Sequence, residues 1–184
     1  QEDPENKKGL VGAFCRTYDI HKSIEKFLSD KYDKVDNDRY TYKEGTTSAG
    51  LITYQNKFAY SHHGTDPCSG KLCNSFDLVR IHLYGHLDSN PSGDKKSESF
   101  KKMQELCLED SKVKKVIASD RLAEAIYEFA DEDSAEIDDE DLSWMEKLEV
   151  NSAGKYLSTA SNLSTIFSND IRLKGLFKNN KFDG

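Results

Sequence analysis

The sequence predicts an α+β fold, in which a small antiparallel sheet is flanked by helices and followed by a small, mostly helical unit. Three observations carry this prediction. Short segments rich in aromatic and β-branched residues lie between residues 39 and 61, and helical patterns of apolar residues lie on both sides of them. An acidic stretch at 131–141 then separates the two parts. The expected organisation is an α+β unit over 1–130, a linker over 131–141 and a helical unit over 142–184.

The first helix is expected after Asp19. Aspartate is a preferred N-cap, and the apolar residues that follow it fall on one helix face: Ile20, Ile24, Phe27 and Leu28. Three strands follow, at 39–43, 51–54 and 58–61, because glycines and a polar 55–57 stretch separate them as turns.

The aromatic residues of these strands have two interpretations. In the one we favour, alternate aromatics form the core face of the sheet, so that most of these rings face inward: Tyr40, Tyr42, Tyr54, Phe58 and Tyr60. The other uses the same rings to stack on single-stranded nucleic acid, with Arg39, Lys43 and Lys57 beside them to neutralise phosphates.

Further helices are predicted along the second half of the chain. Asn74 can cap a helix over 75–84 that stops at Gly85. Apolar stripes begin at Phe100 and at Val113, and a break is expected at Ser119 and Asp120. A short helix around Trp144, a hairpin across 151–155 and a helix carrying Leu163, Ile166 and Phe167 complete the prediction.

Charge and cysteine usage limit the function classes. The net charge is −7, which opposes non-specific binding to nucleic acid, so any such contact has to be local. Eight of the eleven residues at 131–141 are carboxylates, which favours a solvated linker. No run of about 18 apolar residues occurs, which argues against a membrane span. Four cysteines without a secretory signal indicate a reducing compartment, and Cys15 and Cys107 are expected in the core.

The string from Phe58 to Asp77 concentrates histidines and cysteines. A zinc site formed by His62, His63, Cys68 and Cys73 is one hypothesis. The spacing argues against it, because four residues separate the two cysteines and no second pair exists. A hydrogen-bonded loop is the alternative, and we expect neither a metal nor another cofactor. A thiol nucleophile with Asp66 as orienting group is also disfavoured, because residues crowded on one turn usually serve the turn.

Catalytic motifs are missing from the sequence. The 45–50 stretch lacks the Lys-Ser or Lys-Thr of a phosphate-binding loop, and no dinucleotide-binding fingerprint occurs. We therefore assign no catalytic residue.

Four stretches of the chain resemble a known family. They are residues 9–18 with the helix after them, 38–42, the string from 58 through His62-His63 to Asn74-Ser75-Phe76-Asp77-Leu78-Val79-Arg80, and 148–175. These stretches are similar to the central region of the virulence-associated E (VirE/VapE) family of phage and prophage primase-helicase replication proteins. The resemblance implies a cytoplasmic protein of a bacterial host, with a primase-like domain upstream and a P-loop helicase downstream as partners. The 62–80 string also resembles a degenerate form of the zinc-binding module that accompanies many primases.

The expected function is that of a non-catalytic accessory segment that links the two domains and contacts single-stranded DNA. The candidate contacts surround the helix that begins after Asn74, and they are His62, His63, Lys71, Arg80 and His82. A protein-interaction or oligomerisation module without nucleic-acid contact is the alternative. Arg80 also has a purely structural interpretation, as the partner of a carboxylate such as Asp77.

Overall fold

A computed structural model of the chain describes residues 2–88, 97–129, 143–151, 155–170 and 173, and it confirms the α+β prediction. Its centre is a five-stranded sheet in the order β1-β2-β3-β4-β5, in which every neighbouring pair is antiparallel. The strands are β1 (Tyr32–Lys34), β2 (Arg39–Tyr42), β3 (Leu51–Tyr54), β4 (Phe58–Ser61) and β5 (Leu72–Asn74). Strand order follows chain order, so the sheet is a meander.

Helices precede and follow the sheet. The α-helices are α1 (Gly9–Thr17), α2 (Ile20–Phe27), α3 (Ser75–Tyr84), α4 (Glu98–Glu109), α5 (Ser111–Phe129) and α6 (Ala160–Asn169). Short 3-10 helices lie at Pro4–Asn6, Gly85–Leu87 and Ser143–Lys147. No helix in the described ranges is both long enough and apolar enough to cross a membrane.

The predicted N-caps are confirmed. The Asp19 carboxylate accepts a hydrogen bond from the Lys22 N–H at 2.8 Å, and the Asn74 side chain accepts one from the Asp77 N–H at 2.8 Å. Each side chain satisfies an amide that has no partner within its helix, which fixes where α2 and α3 begin.

The predicted helix break at Ser119 and Asp120 is wrong. The chain breaks instead at Asp110, whose carboxylate accepts hydrogen bonds from the Lys112 and Val113 N–H groups at 2.9 and 3.1 Å. An aspartate that caps two amides ends one helix and starts the next. The α5 helix then continues through Ser119 and Asp120, because side chains of this kind are tolerated inside a helix when packing favours it.

The main core lies between one face of the sheet and the helices. Its largest fully buried side chains include Phe14 of α1 and Phe76 of α3, whose rings meet edge to face at 5.9 Å. Cys15 and Cys107 belong to this core, which confirms the prediction for both. A second, smaller cluster joins Ala118 of α5 with Met145 and Leu148.

Parts of the predicted organisation fall outside the described residues. The predicted linker at 131–141 is one such part, so the domain boundaries stay predictions. The predicted hairpin at 151–155 is described only in part, and an antiparallel bridge between Val150 and Tyr156 flanks it.

Candidate functional site

The outer face of the sheet carries exposed aromatic and aliphatic side chains. On β3 and β4 the inward positions are Leu51, Thr53, Ala59 and Ser61, all of which are buried. Side chains alternate across a strand, so their neighbours face outward. Tyr54 and Leu72 are 45% and 43% exposed, which is unusual for large apolar side chains and marks the face as a candidate binding surface.

Strand register collects these side chains into one surface. Tyr60 of β4 lies opposite Ile52 of β3 and Leu72 of β5, and Tyr54 lies opposite Phe58. Four residues line an open depression of about 400 Å³, and we call them the aromatic face: Tyr54, Phe58, Tyr60 and Leu72. Each aromatic ring of this surface therefore has a neighbouring apolar side chain across the ladder.

The expectation that most of the five aromatics face the core is wrong, because only two of them do. Tyr40 and Tyr42 are core residues, each 4% exposed. Tyr54, Phe58 and Tyr60 are not buried, because the inward positions of β3 and β4 are odd-numbered whereas those of β2 are even-numbered. These three rings lie on the outer face of the sheet.

Cationic and polar side chains border the aromatic face. Arg39 lies opposite Ile52 in the strand register and is exposed, with Nη1 near the Ala49 carbonyl at 3.4 Å. Lys71 precedes β5, is exposed, and has its Nζ near the Pro67 carbonyl at 3.4 Å. A carbonyl does not neutralise a positive charge, and neither side chain forms an ion pair with another residue in the part of the chain that the structure describes, so both are suited to a phosphate. Lys57 is different, since its ammonium forms ion pairs with Asp3 and Glu5 at 2.6 and 2.7 Å.

The five predicted contact residues differ in exposure, and Arg80 is described separately below. His62 and Lys71 are exposed, and the His62 ring packs edge to face on Tyr60 with a centroid separation of 4.7 Å. His63 is 1% exposed and the His82 side chain is also 1% exposed. These two imidazoles lie in the interior, where they contact protein groups.

Arg80 has the structural role that was its alternative interpretation. Its guanidinium lies 3.1 Å from Asp77 and 3.6 Å from Asp88, and it donates a hydrogen bond to Ser99 at 2.7 Å. These contacts hold α3 against the start of α4. The geometry does not test whether the five predicted contact residues bind DNA, so that binding stays a prediction.

The His63 ring holds the loop between β2 and β3. Its Nε2 accepts hydrogen bonds from the Tyr42 and Gly50 N–H groups at 3.2 and 3.1 Å. Because Nε2 accepts twice, the proton lies on Nδ1, which donates to Thr47 Oγ1 at 2.8 Å. His63 thus satisfies two backbone amides of the sheet, as the hydrogen-bonded-loop hypothesis predicted for this string.

A buried polar cluster lies on the inner side of the sheet around Asp66. Its Oδ2 accepts hydrogen bonds from Ser61 Oγ at 2.6 Å and Tyr32 Oη at 2.7 Å. Its Oδ1 accepts one from the Cys68 N–H at 2.8 Å and lies 3.2 Å from His82 Nε2. Burial alone would raise the pKa of Asp66, but His82 and the hydroxyl and amide donors outweigh it and lower this pKa to about 2.

Two cysteines adjoin this cluster. The Cys68 and Cys73 thiols are hydrogen-bonded to each other, and both residues are buried. That hydrogen bond and burial raise the pKa of the Cys68 thiol, which disfavours it as a nucleophile. The sequence did not reveal that Tyr32 and His82 reach Asp66, because Tyr32 is 34 positions before it and its strand was not predicted.

Comparison of the chain with protein-family models, with curated proteins and with solved structures gave no match in any of the three.

Proposed function

We propose that this chain is a non-catalytic accessory segment of a phage or prophage DNA-replication protein, and that its aromatic face holds single-stranded DNA. In this role it links a primase-like domain to a helicase, as the virulence-associated E resemblance implies. The observation that carries the proposal is the outward position of Tyr54, which is 45% exposed, and of the half-buried Tyr60 on the outer face of the sheet. Two exposed cations are close to this face, Arg39 in the strand register and Lys71 in the sequence.

The chemistry of such a surface suits unpaired bases. Every base has a π-face that can stack on a tyrosine ring, and this stacking is insensitive to sequence. In duplex DNA those faces are already stacked on neighbouring bases, so the aromatic face selects single strands. Phosphates between successive bases would approach Arg39 and Lys71, and His62 would extend the stacking surface from Tyr60.

Net charge limits the affinity. With 33 acidic and 26 basic side chains, the molecule as a whole repels the phosphate backbone. Binding therefore depends on stacking and on few phosphate contacts, and a shallow salt dependence is expected. This combination fits a segment that retains template between two domains, each of which binds DNA by itself.

The test is an anisotropy titration with fluorescently labelled oligothymidine and with a duplex of equal length, repeated over a range of salt concentrations. The Tyr54→Ala/Tyr60→Ala variant should bind the single strand at least about 10-fold more weakly, because stacking contributes about 1–3 kcal/mol per base. Its salt slope should not change. Arg39→Ala/Lys71→Ala should instead reduce the slope by about 1.4, at about 0.7 per phosphate contact.

Leu163→Ala is the matched control, because Leu163 is a 48% exposed apolar side chain on α6, outside the sheet. It should leave both affinity and slope unchanged. Equal affinity of the wild type and the double tyrosine variant, or a preference for the duplex, would contradict the proposal.

A protein-interaction or oligomerisation module is the second candidate. The apolar character of Leu72 and Phe58 and the acidic net charge favour it. Sedimentation of the wild type distinguishes the two candidates. Self-association that the Tyr54→Ala/Tyr60→Ala variant loses, in a protein that does not bind oligothymidine, supports the interaction module.

A further inference from the structure

The inner side of the sheet brings three different metal-ligand types together. An oxygen of Asp66, the sulfur of Cys68 and a nitrogen of His82 all lie within 4.8 Å of one another. Asp66 and Cys68 are 3% and 1% exposed, and the His82 side chain is 1% exposed. Cys73 is not one of these three, but its buried thiol is a neighbour of the Cys68 thiol and can supply a fourth ligand. We propose that Asp66, Cys68, Cys73 and His82 form a closed structural zinc site.

The separations are close to those of a tetrahedral centre. Oxygen and nitrogen ligands about 2.0 Å from zinc lie about 3.3 Å apart when the angle is tetrahedral. Asp66 Oδ1 and His82 Nε2 are 3.2 Å apart. Zinc–sulfur bonds of about 2.3 Å place a thiolate about 3.5 Å from such ligands. The 4.8 Å limit for Asp66, Cys68 and His82 therefore requires the ligand atoms to approach one another by at most about 1.3 Å. Cys73 lies outside that limit and has to turn further towards the metal.

Asp66 is oriented as a monodentate ligand. Two hydroxyls, those of Tyr32 and Ser61, donate to its Oδ2. Oδ1 is the oxygen that faces His82 Nε2. The same nitrogen is hydrogen-bonded to Tyr32 Oη at 2.7 Å, and zinc would replace that hydrogen bond. Hydrogen bonds to the non-ligating oxygen are the usual support of a carboxylate ligand, because they fix its orientation.

Charge favours a cation at this position. A divalent cation would be held by three groups that are anionic as metal ligands, the carboxylate of Asp66 and the two buried thiols once they are deprotonated. Zinc would take both cysteines as thiolates and release their protons to solvent. Two thiolates and one carboxylate around a divalent ion leave a net charge of −1.

This ligand set differs from the one that the sequence suggested. Cys68 and Cys73 are common to both, but Asp66 and His82 replace His62 and His63. His63 uses both ring nitrogens for Tyr42, Gly50 and Thr47. The spacing argument against zinc assumed ligands in two closely spaced pairs. In the fold, His82 comes from α3 and Asp66 from the loop after β4, so that assumption does not apply.

The experiment uses the full chain, reduced and freed of metal by a chelator, and titrates it with Zn²⁺ in competition with a chromophoric chelator. One equivalent should bind with a dissociation constant below about 100 nM, which corresponds to about 10 kcal/mol. Titration with Co²⁺ should produce sulfur-to-cobalt charge-transfer absorption and the intense visible bands of a tetrahedral ion. Both measurements are made on the wild type, so they do not depend on a variant that folds.

Variants identify the ligands. Cys68→Ala and Cys73→Ala should each lose the charge-transfer intensity of one thiolate and bind zinc at least about 100-fold more weakly. Cys107→Ala is the matched control, since Cys107 is equally buried in the main core, and His62→Ala tests the ligand set suggested by the sequence. Both should bind as the wild type does. Substoichiometric zinc, octahedral cobalt, or a wild-type dissociation constant above 100 nM overturns the proposal and leaves the cluster hydrogen-bonded only.

Discussion

The His63 imidazole shows how one side chain determines which residues its neighbours can be. Its ring lies against Gly50, where an added Cβ would be 2.7 Å from Cε1 and Nε2 of the imidazole. Such a separation is shorter than any ordinary carbon contact, and the ring cannot move without losing the Tyr42 and Gly50 amides. Packing therefore requires glycine at position 50. Its N–H has to reach the His63 ring, and any side chain there would push that ring away.

Gly50→Ala should consequently lower the free energy of unfolding by about 1–3 kcal/mol, the usual cost of overpacking. Urea unfolding followed by circular dichroism measures it. Gly64→Ala is the matched control in the adjoining turn, because no heavy atom lies within 4 Å of its added Cβ. In the double variant Gly50→Ala/His63→Ala the loss should be less than the sum of the two single losses. Strict additivity would show that the ring does not cause the clash.

For single residues, the sequence predicted which ones lie in strands better than it predicted which face of the sheet each side chain occupies. Tyr40 and Tyr60 are both strand tyrosines with polar neighbours, yet Tyr40 is a core residue and Tyr60 is half-buried on the outer face. The choice depends on which strand face meets the helices, and that is decided by packing with α3 and not by local propensity. Asn74 was predictable because a cap acts on amides only a few residues away.

Asp110 lies at the junction between α4 and α5 and makes contacts that fix it. Its carboxylate caps α5 through Val113, accepts a hydrogen bond from Tyr18 at 2.8 Å, and forms an ion pair with Lys26 at 2.6 Å. Burial alone would raise the pKa of Asp110, but the Lys26 ammonium and the Val113 and Tyr18 donors outweigh it and hold this pKa below its usual range. One aspartate thus joins α5 to the helices at the start of the chain.

Because the pKa of Asp110 is lower in the folded state than in the unfolded chain, its contribution to stability is fully present above about pH 4. It is lost as the pH falls through the lower, folded-state value. Asp110→Asn should cost about 1–2 kcal/mol at pH 7, and the difference from the wild type should shrink on acidification. Urea unfolding at a series of pH values measures this. Asp30→Asn, at a carboxylate 71% exposed, should show no such trend, and a constant Asp110 difference down to pH 2 would contradict the argument.

Elements with strong local signals were predictable and those held by tertiary contacts were not. The helix after Asp19 has both a cap and an apolar stripe, whereas α1 has no side-chain cap and was not predicted. Strands β1 and β5 have three residues each, too few for an alternating pattern, and they form because β2 and β4 offer free edges. The buried polar cluster around Asp66 was unpredictable for the same reason, because one of its members, Tyr32, lies on β1.

On the scale of the whole molecule, two hydrophobic clusters share one helix. The main core includes Ile117 of α5, and the smaller cluster includes the next residue, Ala118, with Met145 and Leu148. Asn162 secures the smaller cluster: it is 2% exposed, its Oδ1 accepts from the Glu149 N–H, and its Nδ2 donates to the Glu149 and Leu157 carbonyls. A cluster with so few apolar members has less stability of its own than the main core.

Trp144 makes this difference measurable, because it is the only tryptophan of the chain and packs against the smaller cluster. Met145→Ala removes a side chain that is 8% exposed and should cost about 2–5 kcal/mol locally. The urea midpoint detected by Trp144 fluorescence should then fall further than the midpoint detected by far-ultraviolet circular dichroism, which reports all the helices. Leu157→Ala, at a side chain 39% exposed in the same region, should move neither midpoint appreciably. Equal shifts of both midpoints would mean that α5 couples the two clusters into one cooperative unit, since local unfolding at Met145 would then require the main core to unfold with it.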